Sequence, residues 1–348
     1  MMARPQLHAG RRCVVLHNND YLDAGREASE ELLRSLDADA EVAQTAEAVR
    51  AALSERGWLV NIVTVSDSVA ALGELLAPFA PEVVFNFVES LGGDSTRERE
   101  APAALESLGI PFTGAGSKAL EIAYAKDAVR SCLQEAGVRI AAGSVLLPDE
   151  AVEELPRDYP LFVKPAHTHA SIGIDQASIV HDHAALTARV AWLRKTIGGP
   201  ILLEAYLPGD EINVAVLPAP ERAITIPTRI DFSGYPEGYA PIVTYDCKWN
   251  EDSPEYAAVS RPVAHLLAPE LLSELDHQAR AALAAIGSTS YARVDMRLGA
   301  DGLPRIIDLN PNCDLHPEAG MAIAAASAGL SYADLIETIA LAAMGADR

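Results

Sequence analysis

The chain has 348 residues, 49% of them hydrophobic and 22% charged, an ordinary globular composition long enough for two or three structural units. Lys and Arg number 27 against 49 Asp and Glu, a net charge of −22. So acidic a surface repels nucleic-acid phosphates and anionic lipid, excluding both as partners, yet a local Lys/Arg cluster can still hold a nucleotide.

Apolar periodicity predicts a buried strand at 13–17, a helix over 43–56, a strand at 59–65 and another at 82–88. Strands alternating with helices imply a parallel sheet, with ligands beyond its C-terminal strand ends, at loops 18–25 and 89–100. A helix is expected over 119–136, strands at 161–164, 173–180 and 201–207, and a helix at 183–196. Strands at 212–217, 223–226 and 242–245 follow on short links, then a helix at 269–286, a hairpin over 291–312 and a final Ala-rich helix. Short links between strands favour an antiparallel sheet there.

Cys13, Cys132, Cys247 and Cys313 are far apart and lack CxxC spacing, so neither a zinc ribbon nor a disulfide framework is indicated. No apolar run reaches transmembrane length. Arg11 and Arg12 lead straight into a strand where a signal peptide would carry its apolar core, so a cytoplasmic location is expected.

The hairpin carries the strongest chemical signal. Period-two alternation puts Arg293, Asp295 and Arg297 on one face, Asp308 and Asn310 together on the returning strand, and Ile307 with Leu309 on its opposite face. Two carboxylates and an amide are oxygen-only ligands of the kind a magnesium ion takes. The same residues would equally serve as a solvated polar face, and the segment alone does not choose.

Other motifs are weaker. The segment 113–119, Thr-Gly-Ala-Gly-Ser-Lys-Ala, has GxGxxA spacing, but no acidic residue closes a following strand, so a tight strand-to-helix turn explains it better. His167/His169 and His181/His183 lack the further convergent ligands that zinc needs. Ser171 has no GxSxG context for a hydrolase. Lys164 ends an apolar run, where an ammonium is costly without an anion or an escape to solvent. The loop 167–173 offers backbone N–H groups and hydroxyls suited to phosphate.

The order Lys126, Val163-Lys164-Pro165, the Ser/Gly loop, Glu204, Gly209-Asp210-Glu211, Lys248, Arg293-Val294-Asp295 and Asp308-Leu309-Asn310 resembles the ATP-grasp superfamily, specifically its D-alanine–D-alanine ligase branch. Gly109-Ile-Pro-Phe-Thr-Gly114 matches that branch's link between first and second domains. The resemblance covers roughly residues 80–345. It implies an α/β (α+β) fold in three domains: an N-terminal parallel α/β substrate domain at 1–120, a lid at 121–211 and a mainly antiparallel catalytic domain at 212–348.

It further implies that Lys126 and Lys164 neutralise ATP phosphates, with Ser171 and Gly173 in the loop covering them. Glu204, Ala205, Tyr206 and Leu207 would form the adenine hinge, and Glu211 would take the ribose hydroxyls. Lys248 would approach the γ-phosphate, Asp295, Asp308 and Asn310 would carry two Mg2+ ions (Mn2+ being the alternative), and Arg293 would stabilise an anionic tetrahedral intermediate. The implied activity is an ADP-forming ligase that makes an amide from small-molecule carboxylate and amine substrates through an acyl phosphate. Related ligases are often dimers, so a homodimer is the implied assembly.

The amino-acid pockets depart from that branch. Its Gly-Gly-x-Ser-x-Glu segment reads His-Asn-Asn-Asp-Tyr at 17–21, and its His-Gly-x-x-Gly-Glu-Asp-Gly loop reads Val-Glu-Ser-Leu-Gly-Gly-Asp at 88–94. Its metal Glu is Asp308, and its Pro-Gly-Phe/Met-Thr stretch reads Pro-Asn-Cys-Asp-Leu at 311–315. Substrates other than D-alanine are therefore expected, with true D-alanyl-D-alanine synthesis and a non-catalytic ATP-binding module as alternatives. Asp314 would repel an acceptor carboxylate, Arg97 and Arg99 are candidates to bind a donor's second carboxylate and Glu89 is a further candidate substrate residue; the alternative is that they are solvated loop charges.

Overall fold

The computed structural model describes residues 9–19, 30–152, 158–168, 171–219, 223–258, 260–264 and 267–345. The ligand loop expected at 18–25 lies outside these beyond Asn19, as does His169. Among the described residues no helix is long and apolar enough to cross a membrane.

Three sheets organise the chain. The first joins β1 (Arg12–Asn18), β2 (Leu59–Val65) and β3 (Val83–Phe87) in the parallel order β2-β1-β3. Residues 13–18 of β1 are all buried, as befits a central parallel strand covered on both faces. Cys13 and Val15 pack with helix α1 (Glu30–Glu55) and the C-terminal helix α11 (Tyr332–Gly345). Val14 and Leu16 point the other way, to helix α2 (Leu72–Leu76) and helix α3 (Glu100–Leu108). The end of the chain thus completes the core begun by its start.

The second sheet is antiparallel, in the order β4-β7-β5-β6, from β4 (Gly143–Leu146), β5 (Leu161–Pro165), β6 (Ile179–Val180) and β7 (Ile201–Ala205). Leu161, Val163, Ile201 and Leu203 bury against helix α6 (His183–Thr196). Alternation leaves Phe162, Lys164 and Glu204 for the opposite face.

The third sheet, also antiparallel, runs β10-β9-β8-β11-β12. Its strands are β8 (Glu211–Leu217), β9 (Ile224–Asp231), β10 (Ser260–Ala264), β11 (Ala292–Leu298) and β12 (Pro304–Asn310). Ile212, Val214, Val216, Ala292, Val294 and Met296 form one core with helices α4 (Ser117–Tyr124), α5 (Lys126–Glu135) and α9 (Pro269–Ile286). Glu211, Asn213, Arg293, Asp295 and Arg297 occupy the other face, toward the second sheet.

Several elements differ from expectation for local reasons. The helix expected over 119–136 breaks at Ala125, whose backbone is extended (φ −109°, ψ 109°), so Lys126 opens a new helix. The strand expected at 173–180 shrinks to two residues, because Asp175 caps a 3-10 turn over Gln176–Ser178. At 242–245 there is no strand: Thr244 caps helix α7 (Tyr245–Trp249) by accepting the Cys247 N–H at 3.1 Å. The final Ala-rich helix is two, α10 (Gly320–Ser327) and α11. In β12 the pairing shifts between Asp308 and Ile306, leaving Ile307 as a bulge residue. Ile307 therefore faces the same cleft as Asp308, and not the core side shared by Ile306 and Leu309.

Docking of α11 onto the first sheet is directly testable. Leu335 is fully buried there, so Leu335→Ala is expected to cost about 2–5 kcal/mol. Trp58 reports on this unit, since its indole N–H donates to Glu337 of α11 at 3.1 Å. A lowered urea midpoint in Trp58 emission is expected; an unchanged midpoint contradicts the docking.

Candidate active site

A cavity of about 550 Å³ lies between the second and third sheets. One wall is the polar face of β5 and β7, the other the polar face of β8, β11 and β12, with residues 205–210 linking them. The linker is held tightly: Gly209 N–H donates to the Leu298 carbonyl at 2.9 Å, and a Cβ at Gly209 would meet that oxygen at 2.6 Å. Only glycine fits so close an approach.

The upper wall is a buried charge cluster. Lys164, 5% exposed, places Nζ 2.9 Å from Glu204 Oε2 and 3.0 Å from the carbonyl of bulge residue Ile307. Arg130, one helical turn beyond Lys126, donates to Glu204 Oε1 and to the Ala141 carbonyl at 3.0 Å. Two buried cations share one carboxylate, and such a surplus of positive charge favours an anionic ligand. The Glu204 carboxylate is thus committed to Lys164 and Arg130, while Ala205, Tyr206 and Leu207 line the cavity beside it.

Lys126 donates to the Thr168 carbonyl. Burial pushes its pKa down, partly offset by the Asp308 carboxylate. Crowding by the cavity wall and the Arg293 guanidinium likewise depress Lys248, although solvent still reaches its side chain. Both lysines line the cavity. Ser171, held at φ +60°, donates from Oγ to the Val243 carbonyl at 3.4 Å, and Tyr245 N–H donates to Ile174 at 2.9 Å. These bonds latch the loop at 171–174 onto the segment at 243–245, roofing the cavity. Gly173, at φ +75°, packs on Pro165 outside the lining.

The lower wall centres on Asp295. Arg293 binds it bidentately (2.7 and 2.9 Å), Asn213 Nδ2 donates to Oδ1 at 2.6 Å, and Asn310 Nδ2 to Oδ2 at 3.2 Å. The bulge aligns Asp308 directly opposite Asp295, and Asn310 opposite Arg293. Among the described residues no three His, Cys, Asp or Glu side chains gather into a complete metal cage. Two carboxylates with an Asn oxygen, reached by rotating its amide, nevertheless suit a hard cation that draws its remaining oxygens from phosphate and water.

The far end is acidic: Glu41, Asp314 and Glu318 line it with Ala319 and Gly320. Burial and then the nearby Asp314 charge raise the pKa of Glu41. Arg97 and Arg99 are not brought to the cavity; they pair with Glu100 (2.7 Å) and Glu121 (3.0 Å). Glu89 lies outside the lining too, its N–H donating to Asn18 Oδ1 at 3.0 Å. His167 pairs with Asp127, and all four cysteines are unbridged. The glycine turn at 113–116 is a docking point, where Ala115 N–H donates to Asn312 Oδ1 at 2.8 Å.

Arg130, Asn213, Ile307, Glu41 and Glu318 were not expected at the site, and Arg297 was expected on its face but without a role. For two of the five a signal existed: Arg130 lies at i+4 from Lys126 and Asn213 at i+2 from Glu211. Ile307 gave none, because a bulge has no sequence mark here.

Glu211 provides a pH test. Burial, partly offset by Arg297, pushes its carboxyl up from 4.5 to about 7. The native state then holds a proton that the unfolded chain releases, so this group's contribution to stability falls as pH rises from about 4.5 to 7. Glu211→Gln should therefore gain stability relative to wild type across that window, by urea titration at each pH. A difference that stays flat, or moves the other way, contradicts the burial of an ionisable Glu211.

Comparison with known proteins agrees with this geometry. Residues 143–340 match the family described as D-ala D-ala ligase C-terminus. A D-alanine–D-alanine ligase of Gluconobacter oxydans is 29% identical over 295 residues, covering 84% of this chain and 90% of that one. An uncharacterized protein of Sinorhizobium fredii is also 29% identical, over 74% of this chain and 73% of its own. The crystal structure of a Bacillus anthracis D-alanine–D-alanine ligase complexed with ATP superposes with a TM-score of 0.70 at 19% identity, covering 97% and 98% of the two chains. With three sheets in this arrangement and a family match over more than half its length, the chain belongs to the D-alanine–D-alanine ligase family, a branch of the ATP-grasp, ADP-forming ligases.

Proposed function

We propose that this ligase joins a small-molecule carboxylate to an amine in the cytoplasm, on amino-acid-like substrates other than D-alanine. The observation that carries the reading is the polarity of one cavity. Lys126, Lys164 and Lys248 line it with Asp295, Asp308 and Asn310, and Glu41, Asp314 and Glu318 line its far end.

The lysines would hold the ATP phosphates, Ala205 to Leu207 the adenine and Glu211 the ribose. Asp295, Asp308 and Asn310 would hold Mg2+, which supplies charge neutralisation across the transferring phosphoryl group. A donor carboxylate oxygen attacks the γ-phosphorus, the bond to the β-γ bridging oxygen breaks, and ADP leaves. The amine then attacks the acyl carbon, loses a proton, and expels phosphate together with the donor's original oxygen. Arg293, which lines the same cavity and pairs with Asp295, would stabilise the tetrahedral oxyanion. Ser171 and its loop, latched over the cleft, exclude water that would hydrolyse the acyl phosphate.

The acidic far end supports an acceptor without a free carboxylate, since like charges repel strongly in a partly desolvated cleft. D-alanyl-D-alanine synthesis is the second reading, favoured by the names of the relatives.

ADP release measured against pools of carboxylates and amines separates the two. Turnover is expected with an amine lacking a carboxylate and at most traces with D-alanine alone; robust D-alanyl-D-alanine formation would sink the first reading. Asp295→Asn is expected to lower ATP turnover by at least about 100-fold without loss of fold, and near-normal turnover removes Asp295 from the metal site.

A further inference from the structure

Arg297 shares the functional face with Arg293 and Asp295 but has no role in the steps above. It lies directly opposite Glu211 across the β11–β8 ladder. Its Nη1 donates to Glu211 Oε2 at 3.2 Å, with side chains only 6% and 7% exposed. The same Nη1 donates to the Pro241 carbonyl at 2.7 Å, and Nη2 to the Gly209 carbonyl at 3.0 Å. The guanidinium stands 5.3 Å from the centre of the Tyr206 ring. One cation therefore joins the interdomain linker, the segment leading to the roof, the ring of Tyr206 and the carboxylate of Glu211.

A buried carboxylate is a poor fixed acceptor unless a cation holds it in place. Arg297 is itself fixed by two backbone carbonyls and an aromatic face, so its planar fork sets the Glu211 carboxylate rigidly. An acceptor set in that way takes hydrogen bonds from a vicinal diol better than from a sugar lacking one hydroxyl. We infer that Arg297 is a positioning residue for ribose selection: by fixing Glu211, it makes the site prefer ribonucleotide over deoxynucleotide triphosphates. This rests on reading the cavity as the ATP site.

The test is the Kd of the full chain for ATP, 2′-deoxy-ATP and 3′-deoxy-ATP, each titrated with Mg2+ at a pH above 7, where the Glu211 carboxyl is ionised. Wild type is expected to favour ATP by about tenfold or more over at least one deoxy analogue, the size of one hydrogen bond to a charged group. Glu211→Gln and Arg297→Met should each bring that ratio to within about twofold, and the double variant should add nothing further. Arg297→Lys keeps the charge but not the fork, so it should fold and show a reduced ratio should Arg297→Met fail to fold. An Arg297 variant that keeps the wild-type ratio, additive effects in the double variant, or a wild type that binds all three nucleotides equally overturns the inference while leaving the ATP site standing. A wild type that binds none of them overturns the ATP site itself.

Discussion

One bulged pair of strands governs the site. Because β12 carries an extra residue at Ile307, Asp308 stands opposite Asp295 and Asn310 opposite Arg293. The bulge also turns the Ile307 carbonyl to Lys164 Nζ. A regular ladder would place Ile307 toward the core and break that link between the two walls. The bulge thus sets Asp308 and Asn310 opposite Asp295 and Arg293 and ties Lys164 of the second sheet to the third, a use of β-bulges familiar near active sites.

The charges around that pairing explain why the cleft suits a polyphosphate. Glu204 sits between Lys164 and Arg130, leaving positive charge in excess on the upper wall. On the lower wall Asp295 is met by Arg293, Asn213 and Asn310. These bonds orient it without a metal and define what a metal would displace. Each wall is thus imperfectly balanced alone, and a nucleotide with its cation is the kind of ligand that balances both. The role proposed for Arg297 extends the same logic to the sugar, with Glu211 as the acceptor it would fix.

Much of this was legible in the chain. Period-two patterning located the parallel strands and the hairpin at 291–312, and the ordered series from Lys126 to Asn310 gave the family and most, but not all, of the charged residues that line the cavity. What stayed hidden depends on tertiary contacts. Ile307 looked like a core residue because alternation fails silently at a bulge. The segment at 242–245 looked like a strand from its apolar residues, but the Thr244 cap won locally. Arg97 and Arg99 looked available to a donor, yet acidic neighbours on adjacent helices pair with them. The return of α11 to the first sheet has no local signature, because its partner lies at the opposite end of the chain.

In the proposed reaction ATP's γ-phosphate passes to a carboxylate within this cleft before an amine arrives. Following the donor's own oxygen tests this most directly. With a donor labelled with 18O in its carboxyl group, amide formation is expected to deliver one labelled oxygen to each phosphate released. Amide formation accompanied by unlabelled phosphate would contradict the acyl-phosphate route, and with it the role assigned to the bulged hairpin.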